Sequence, residues 1–221
     1  MNNLSLRLCL FWGLSVAGLF SSCSEKPTEP YGALTGPIYP LAIGNRWSFL
    51  TFSFDSLANV RLVGRDSISI VGDTIVDGNR WYYEASSSDR IGHRASERGI
   101  LTRVLSVRSD GKEALALKYP AKVGDVYGYP VFVSGNPLIS IIDNLMMCTV
   151  KCTDTTIFVP AGQFRCYMYQ TSIPSSGSKS YTQMFLSPSY GWIKTDQYYS
   201  TTANGSVYLT VSRRAESILV H

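Results

Sequence analysis

From Arg46 onward the chain is a series of short runs in which apolar and polar residues alternate, each run closed by turn residues. Strict alternation places one set of side chains on one face of a strand and the rest on the other. Arg46–Phe54 and Val60–Val71 are the first two runs, the second ending at Gly72-Asp73. Asp77-Gly78-Asn79 lies between Thr74–Val76 and Arg80–Ser86, and Ser109-Asp110-Gly111 between Ile100–Arg108 and Lys112–Tyr119. Asp-Gly pairs flanked by alternating runs are hairpin turns, because both residues tolerate positive φ. Further on, Asn144–Val159 and Gln163–Ile173 flank Pro160-Ala161-Gly162; Lys179–Ser187, Gly191–Ser200 and Ser206–Val220 follow, with Asn204-Gly205 as another turn pair. No stretch sustains a 3.6-residue apolar period, and Leu138–Met147 is the one segment that reads as a helix. Hairpin after hairpin predicts an all-β fold: a single curved antiparallel sheet or half-open β-barrel, with at most one short helix, although a sandwich has the same signature.

One pattern occurs twice. Tyr39-Pro40-Leu41-Ala42-Ile43-Gly44-Asn45-Arg46-Trp47 matches Tyr119-Pro120-Ala121-Lys122-Val123-Gly124-Asp125-Val126-Tyr127 in its Tyr-Pro, β-branched residue, Gly, polar residue and aromatic. Pro fixes φ, Gly permits a positive φ, and the aromatic can plug a core, so each copy is a tight entry into a strand. Nothing else repeats visibly, which favours one turn used twice over two similar halves.

The first residues have a different character. Arg7 is followed by an uncharged apolar run from Leu8 to Phe20, then Ser21, Ser22 and Cys23. This is the layout of a secretory signal peptide, and the run is shorter than the ~20 residues a membrane-spanning helix needs. Leu19-Phe20-Ser21-Ser22-Cys23 resembles the lipobox of bacterial lipoproteins, with Phe20 where Leu is usual. The resemblance implies cleavage before Cys23, acylation of its thiol and often of the new amine, and, with Ser24 next, sorting to the outer membrane. Residues 1–22 are then the signal, 23–37 a Pro- and Gly-containing tether, and 38–221 one domain.

Composition narrows the function. Removing the 22 signal residues from 221 leaves 199, enough for one core without disulfide staples. The net charge is +4, of which Arg7 supplies one, and a balance of +3 with no basic run does not predict nucleic acid as a partner. Of the five cysteines, Cys148, Cys152 and Cys166 remain once Cys9 and Cys23 are assigned to signal and lipid. Cys148 and Cys152 lie ~13 Å apart along one strand, too far to bond. A hairpin at Pro160-Ala161-Gly162 would bring Cys166 beside Cys152, so a Cys152–Cys166 disulfide is the expectation, with three buried thiols as the alternative.

Three segments together resemble a largely uncharacterised group of bacterial secreted and lipid-anchored β proteins. Tyr39–Trp47 is similar to the group's "FPL-x-x-G-x-x-W" opening. Val159-Pro160-Ala161-Gly162-Gln163-Phe164 is similar to its "VPAG-x-F", and Ser189-Tyr190-Gly191-Trp192-Ile193-Lys194 to a "GVGLVK" strand entry, with Tyr190 and Trp192 larger than usual. The resemblance implies a curved antiparallel sheet similar to periplasmic lipoprotein carriers, whose concave face holds lipid, and it implies no catalytic residues.

Candidate chemistry is sparse. His93 and His221 are the only histidines, and His93 falls in Asp89–Arg98, which reads as a solvated loop of mixed charge. Ser96, His93 and Asp89 are too close in sequence for a triad. Asp73 and Asp77 flank a turn but fall short of a calcium cage, and neither a metal-ligand pattern nor a cofactor-binding motif is present. Trp47, Trp81 and Trp192 are expected in the core. Tyr82-Tyr83 and Tyr198-Tyr199 must split between the two faces of their strands, which makes these four the candidate contacts for a ligand or partner. The resulting reading is a non-catalytic envelope lipoprotein that binds an apolar small molecule or an envelope partner. A structural or assembly protein is the alternative. An enzyme is disfavoured, and a cleft joining His93 to a buried carboxylate is what would revive it.

Overall fold

The computed structural model describes residues 34–85, 91–105, 111–134, 139–173, 180–200 and 207–221, with the backbone alone considered at 132–134 and 139–145. Twelve strands follow in order: β1 (Arg46–Phe54), β2 (Val60–Val76), β3 (Asn79–Glu84), β4 (Ile91–Ser96), β5 (Gly99–Val104), β6 (Glu113–Lys118), β7 (Val126–Ser134), β8 (Ile139–Val159), β9 (Gly162–Ser172), β10 (Tyr181–Ser187), β11 (Gly191–Tyr199) and β12 (Tyr208–Leu219). They form one antiparallel sheet in the order β6-β5-β4-β3-β2-β1-β12-β11-β10-β9-β8-β7. Each strand therefore lies beside its neighbours in sequence, the first and last strands meet where β1 pairs with β12, and the sheet curls into a barrel left open along one seam between β6 and β7.

Side chains span that seam from within. The Tyr127 hydroxyl accepts from the Lys118 amide at 3.3 Å and donates to the Ala116 carbonyl at 3.2 Å. The Tyr169 hydroxyl donates to the Lys118 carbonyl at 2.9 Å. Inside, Trp47, Phe49, Ile70, Ile100, Leu117, Cys148, Val150, Tyr169, Met184, Leu186 and Ala215 form one core drawn from both sides of the ring. Ile38 and Tyr39 enter this core ahead of β1, with Leu34 packed against it. The end of the expected tether is thus bound to the barrel: Ser189 donates to the carbonyls of Thr35 and Pro37 through its hydroxyl and its amide.

The repeated Tyr-Pro segments open equivalent halves of the barrel. Gly44 donates to the Ile70 carbonyl and Ile70 to that of Asn45; Gly124 and Val150 make the same two bonds with Val150 and Asp125, all at 2.9 Å. Gly44 and Gly124 have φ of 95° and 90°. Each segment starts a six-stranded meander, β1–β6 or β7–β12. Each also docks on the opposite half: Tyr119 donates to the Arg98 carbonyl at the β4–β5 turn, and Pro37 accepts from Ser189 at the β10–β11 turn. The echo is a duplicated layout, not one turn used twice. The rest of the repeat was hidden because the two halves fill matching positions with different side chains.

Three other expectations are corrected. Leu138–Met147 is not a helix; Ile139 begins β8, whose ladder with β7 outweighs the ambiguous Ile and Leu content. Gly72-Asp73 does not end a strand, because β2 continues through a bulge at Gly72 where the Tyr83 ring crosses the bare backbone. Asp89–Arg98 is not simply a loop: Ile91–Ser96 is β4, and of the earlier residues Asp89 lies outside the described set.

Candidate functional site

The β4 register sets the site. Tyr82 on β3 faces His93 on β4, and Glu84 lies two residues beyond Tyr82 on the same face. Tyr39, carried in ahead of β1, donates its hydroxyl to Glu84 Oε1 at 2.6 Å. His93 Nε2 lies 3.3 Å from the same oxygen, and the His93 and Tyr39 rings meet edge to face at 5.8 Å. His93 Nδ1 is buried with no hydrogen-bond partner. Both of these contacts fall on Glu84 Oε1, and Oε2, unlike His93 Nδ1, is not an enclosed atom.

These groups line one side of a cavity of about 180 Å³. Ile68, Ile91, Ile100, Leu117 and Trp192 make its apolar wall, with Tyr129 and Arg213 completing the polar one. Arg213 donates three hydrogen bonds to Asp66, at 2.9 and 2.5 Å to Oδ1 and 3.1 Å to Oδ2, and lies 3.8 Å over the Phe49 ring. Burial pushes the Glu84 carboxyl up, but the His93 hydrogen bond and charge, the Tyr39 hydroxyl and Arg213 together outweigh it, and the net position is below the usual carboxylate range. Burial and the Glu84 charge raise the Tyr39 phenol well above its ordinary value, and burial lifts Tyr129 to about 12. The cavity therefore holds an ionised carboxylate beside neutral phenols.

The sequence-predicted residues fall elsewhere. Tyr82 packs on the inner core, Tyr83 crosses Gly72 on the other face, and neither lines the cavity. Tyr198 stacks on Tyr181 at 4.6 Å and, with the exposed Tyr199, edges a separate groove beside Thr171 and Gln197. The two tyrosine pairs are not brought together. Trp47 and Trp81 are fully buried, and Trp192 is half-buried in the cavity wall.

The expected Cys152–Cys166 bond is not formed. Bulges shift the β8–β9 register so that Cys152 faces Met168 and Cys166 faces Thr155, and all three thiols are free. Burial raises the Cys148 thiol to about 11 and pushes Cys166 higher still, which leaves both unreactive. Asp73 and Asp77 are taken by Arg80 and Arg103. Among the described residues no three His, Cys, Asp or Glu gather in a metal-binding group. Cys23, the signal and most of the tether lie outside the described residues.

Glu84 was missed in the sequence because its partners come from a different strand and from the lead-in. The available signal was a lone acid at an inward position, two residues after Tyr82.

Two solved structures resemble the chain at a distance. The chain is similar to a candidate lipoprotein from Parabacteroides distasonis, with 14% identity and a TM-score of 0.39, over 83% of this chain and 99% of that one. It is also similar to a candidate exported protein with a YmcC-like fold from Bacteroides fragilis, with 15% identity and a TM-score of 0.44, over 84% and 100%. No protein-family model matches the chain, and no curated protein does.

Proposed function

We propose that the protein is an exported lipoprotein, anchored through acylated Cys23 at the outer membrane, whose barrel is a non-catalytic binding module for a small, mainly apolar molecule. The observation that carries this reading is the cavity. A volume of about 180 Å³ is near the ~150 Å³ of an engineered apolar cavity that admits benzene, and below the ~300–1,000 Å³ usual for drug-sized ligands. The part of the ligand that the cavity holds is accordingly compact.

Native mass spectrometry of the full chain, extracted gently from membranes, tests the reading. A co-purifying small molecule that is lost when Ile100→Phe fills the cavity supports it. An empty protein that instead captures envelope proteins favours the assembly role. Metabolic labelling with palmitate tests the anchor separately: Cys23→Ala should abolish incorporation.

A second reading has one observation behind it. His93 and half-buried Glu84 do share a cleft, with Tyr39 beside them, and such a pair can move protons. Binding ranks above catalysis because no serine, cysteine or lysine among the described residues lines the cavity. Turnover of a small substrate that disappears in Glu84→Gln while binding persists would reverse that order.

A further inference from the structure

We propose that the ligand of this cavity carries a protonated amine on its compact apolar body, and that the amine sits on Glu84 Oε2. The inference rests on the binding reading above and specifies the head group that the wall selects.

Three observations support it. The first is the free oxygen. Tyr39 and His93 both engage Oε1, at 2.6 and 3.3 Å, and Oε2 is left without a partner among the described residues. A half-buried carboxylate that lines the cavity with one oxygen still open can accept from a donor placed there.

The second is the internal control provided by the duplication. Counting outward from the β2–β3 and β8–β9 turns, Glu84 corresponds to Tyr167. Counting inward from Ser96 and Ser187 at the β4–β5 and β10–β11 turns, His93 and Met184 stand equally far from their turns, although His93 faces Tyr82 and Met184 faces Tyr169. Tyr39 corresponds to Tyr119, which docks edge to face on Tyr167 at 5.3 Å. The second half seats its lead-in tyrosine on an aromatic ring, so the fold does not require a carboxylate at this position. Glu84 and His93 occur where the cavity is, and Tyr167 and Met184 do not line it.

The third is how the charged groups of the wall are held. Arg213 is the fixed cation in the wall, and Asp66 holds it through both carboxylate oxygens. Glu84 is the carboxylate with an open oxygen. The Tyr39 and Trp192 rings in the same wall suit a cation further, since aromatic faces attract positive charge. An amine can donate to Oε2 while its apolar body rests on Ile68, Ile91 and Ile100.

The test is isothermal titration of the full chain with three probes of one shape: benzylamine, benzyl alcohol and phenylacetate. Benzylamine is expected to bind at least tenfold more tightly than either of the others. That preference should vanish in Glu84→Gln, which should still take the alcohol. Equal affinity for amine and alcohol overturns the head-group inference and leaves the apolar cavity standing. A preference for phenylacetate overturns it in favour of Arg213 as the selecting group. Failure of all three to bind removes the cavity reading as well. Should Glu84→Gln not fold, the ranking of the probes on the unmodified chain still decides, and Ile100→Phe locates the site: amine binding that survives the filled cavity overturns the assignment.

Discussion

The two halves of the barrel begin alike and end up different inside. At the entry to β1 and at the entry to β7 the same backbone bonds form around Gly44 and Gly124. Each lead-in crosses to the other half and inserts a tyrosine. Around Tyr119 the surroundings are aromatic and close-packed, with Tyr167 stacked at 6.3 Å on Tyr169. Around Tyr39 they are a carboxylate, an imidazole and open space. The backbone layout tolerates both solutions, so the polar one is a property of those side chains and not a demand of the fold. On the outer face the contrast recurs in milder form: Arg94 lies 5.2 Å over Trp81 in the first half, whereas Phe164 and Phe185 share an apolar cluster in the second.

The sharpest way to break the comparison is to change the interiors. Met184→Glu puts a carboxylate at a buried position with no waiting donors, and is expected to cost about 3–5 kcal/mol in urea denaturation at pH 7. In the first half, His93→Met removes one hydrogen bond to Glu84 and should cost less, about 1–3 kcal/mol. Equal losses would mean that the halves do not differ in how they hold charge.

A second contrast lies in the turns. Gly99 has φ of 124°, and a Cβ there would collide with the Leu117 carbonyl; Gly191 has φ of 76° and its nearest neighbour is the Trp47 side chain at 3.0 Å. Gly99→Ala is expected to destabilise by about 3 kcal/mol, and Gly191→Ala by about 1–2 kcal/mol, because a ring edge gives way more easily than a backbone carbonyl. Thermal midpoints of the two variants check the order.

Acid should weaken the Glu84 site. The folded Glu84 carboxyl lies below its unfolded value of about 4.3, so its contribution is fully present above that pH and is lost as pH falls through the folded value. The stability gap between the unmodified chain and Glu84→Gln is therefore expected to narrow between neutral pH and pH 3 in urea titrations. The smallest effect belongs to the seam. Tyr127→Phe removes both hydroxyl bonds to β6, and should cost about 1 kcal/mol and speed hydrogen exchange at the Lys118 amide.

Turn chemistry made much of the barrel legible. Asp77-Gly78 and Pro160-Ala161 each mark a hairpin directly, since neither pair can continue a strand ladder undisturbed. β4 was obscured because Arg94, Glu97 and Arg98 give the segment the composition of a loop, while its inward residues are Ile91 and His93. β7 was obscured for another reason. Gly128 and Pro130 argue against a central strand, and β7 is in fact a sheet edge with a bulge between Tyr129 and Val131. The site was less legible than the fold. Tyr39, Glu84 and His93 are distant in sequence and meet only through the lead-in and the β3–β4 register, and no local motif encodes such a meeting. Alignment of the two halves, position by position, exposes Glu84 as the odd residue.

Ring closure through the first and last strands has a kinetic consequence. Every other paired contact joins strands adjacent in sequence, so hairpins can form as soon as their two arms exist. The β1–β12 ladder joins Arg46 to Leu219, the most distant strands of the described sheet. That union must overcome the largest loop-closure entropy and is expected to form last. Until then β1 and β12 each present an unpaired edge to whatever is nearby, including another copy of the chain. Slow, concentration-sensitive refolding, with early protection in the hairpins and late protection at Trp47 and Phe49, is the behaviour this topology dictates.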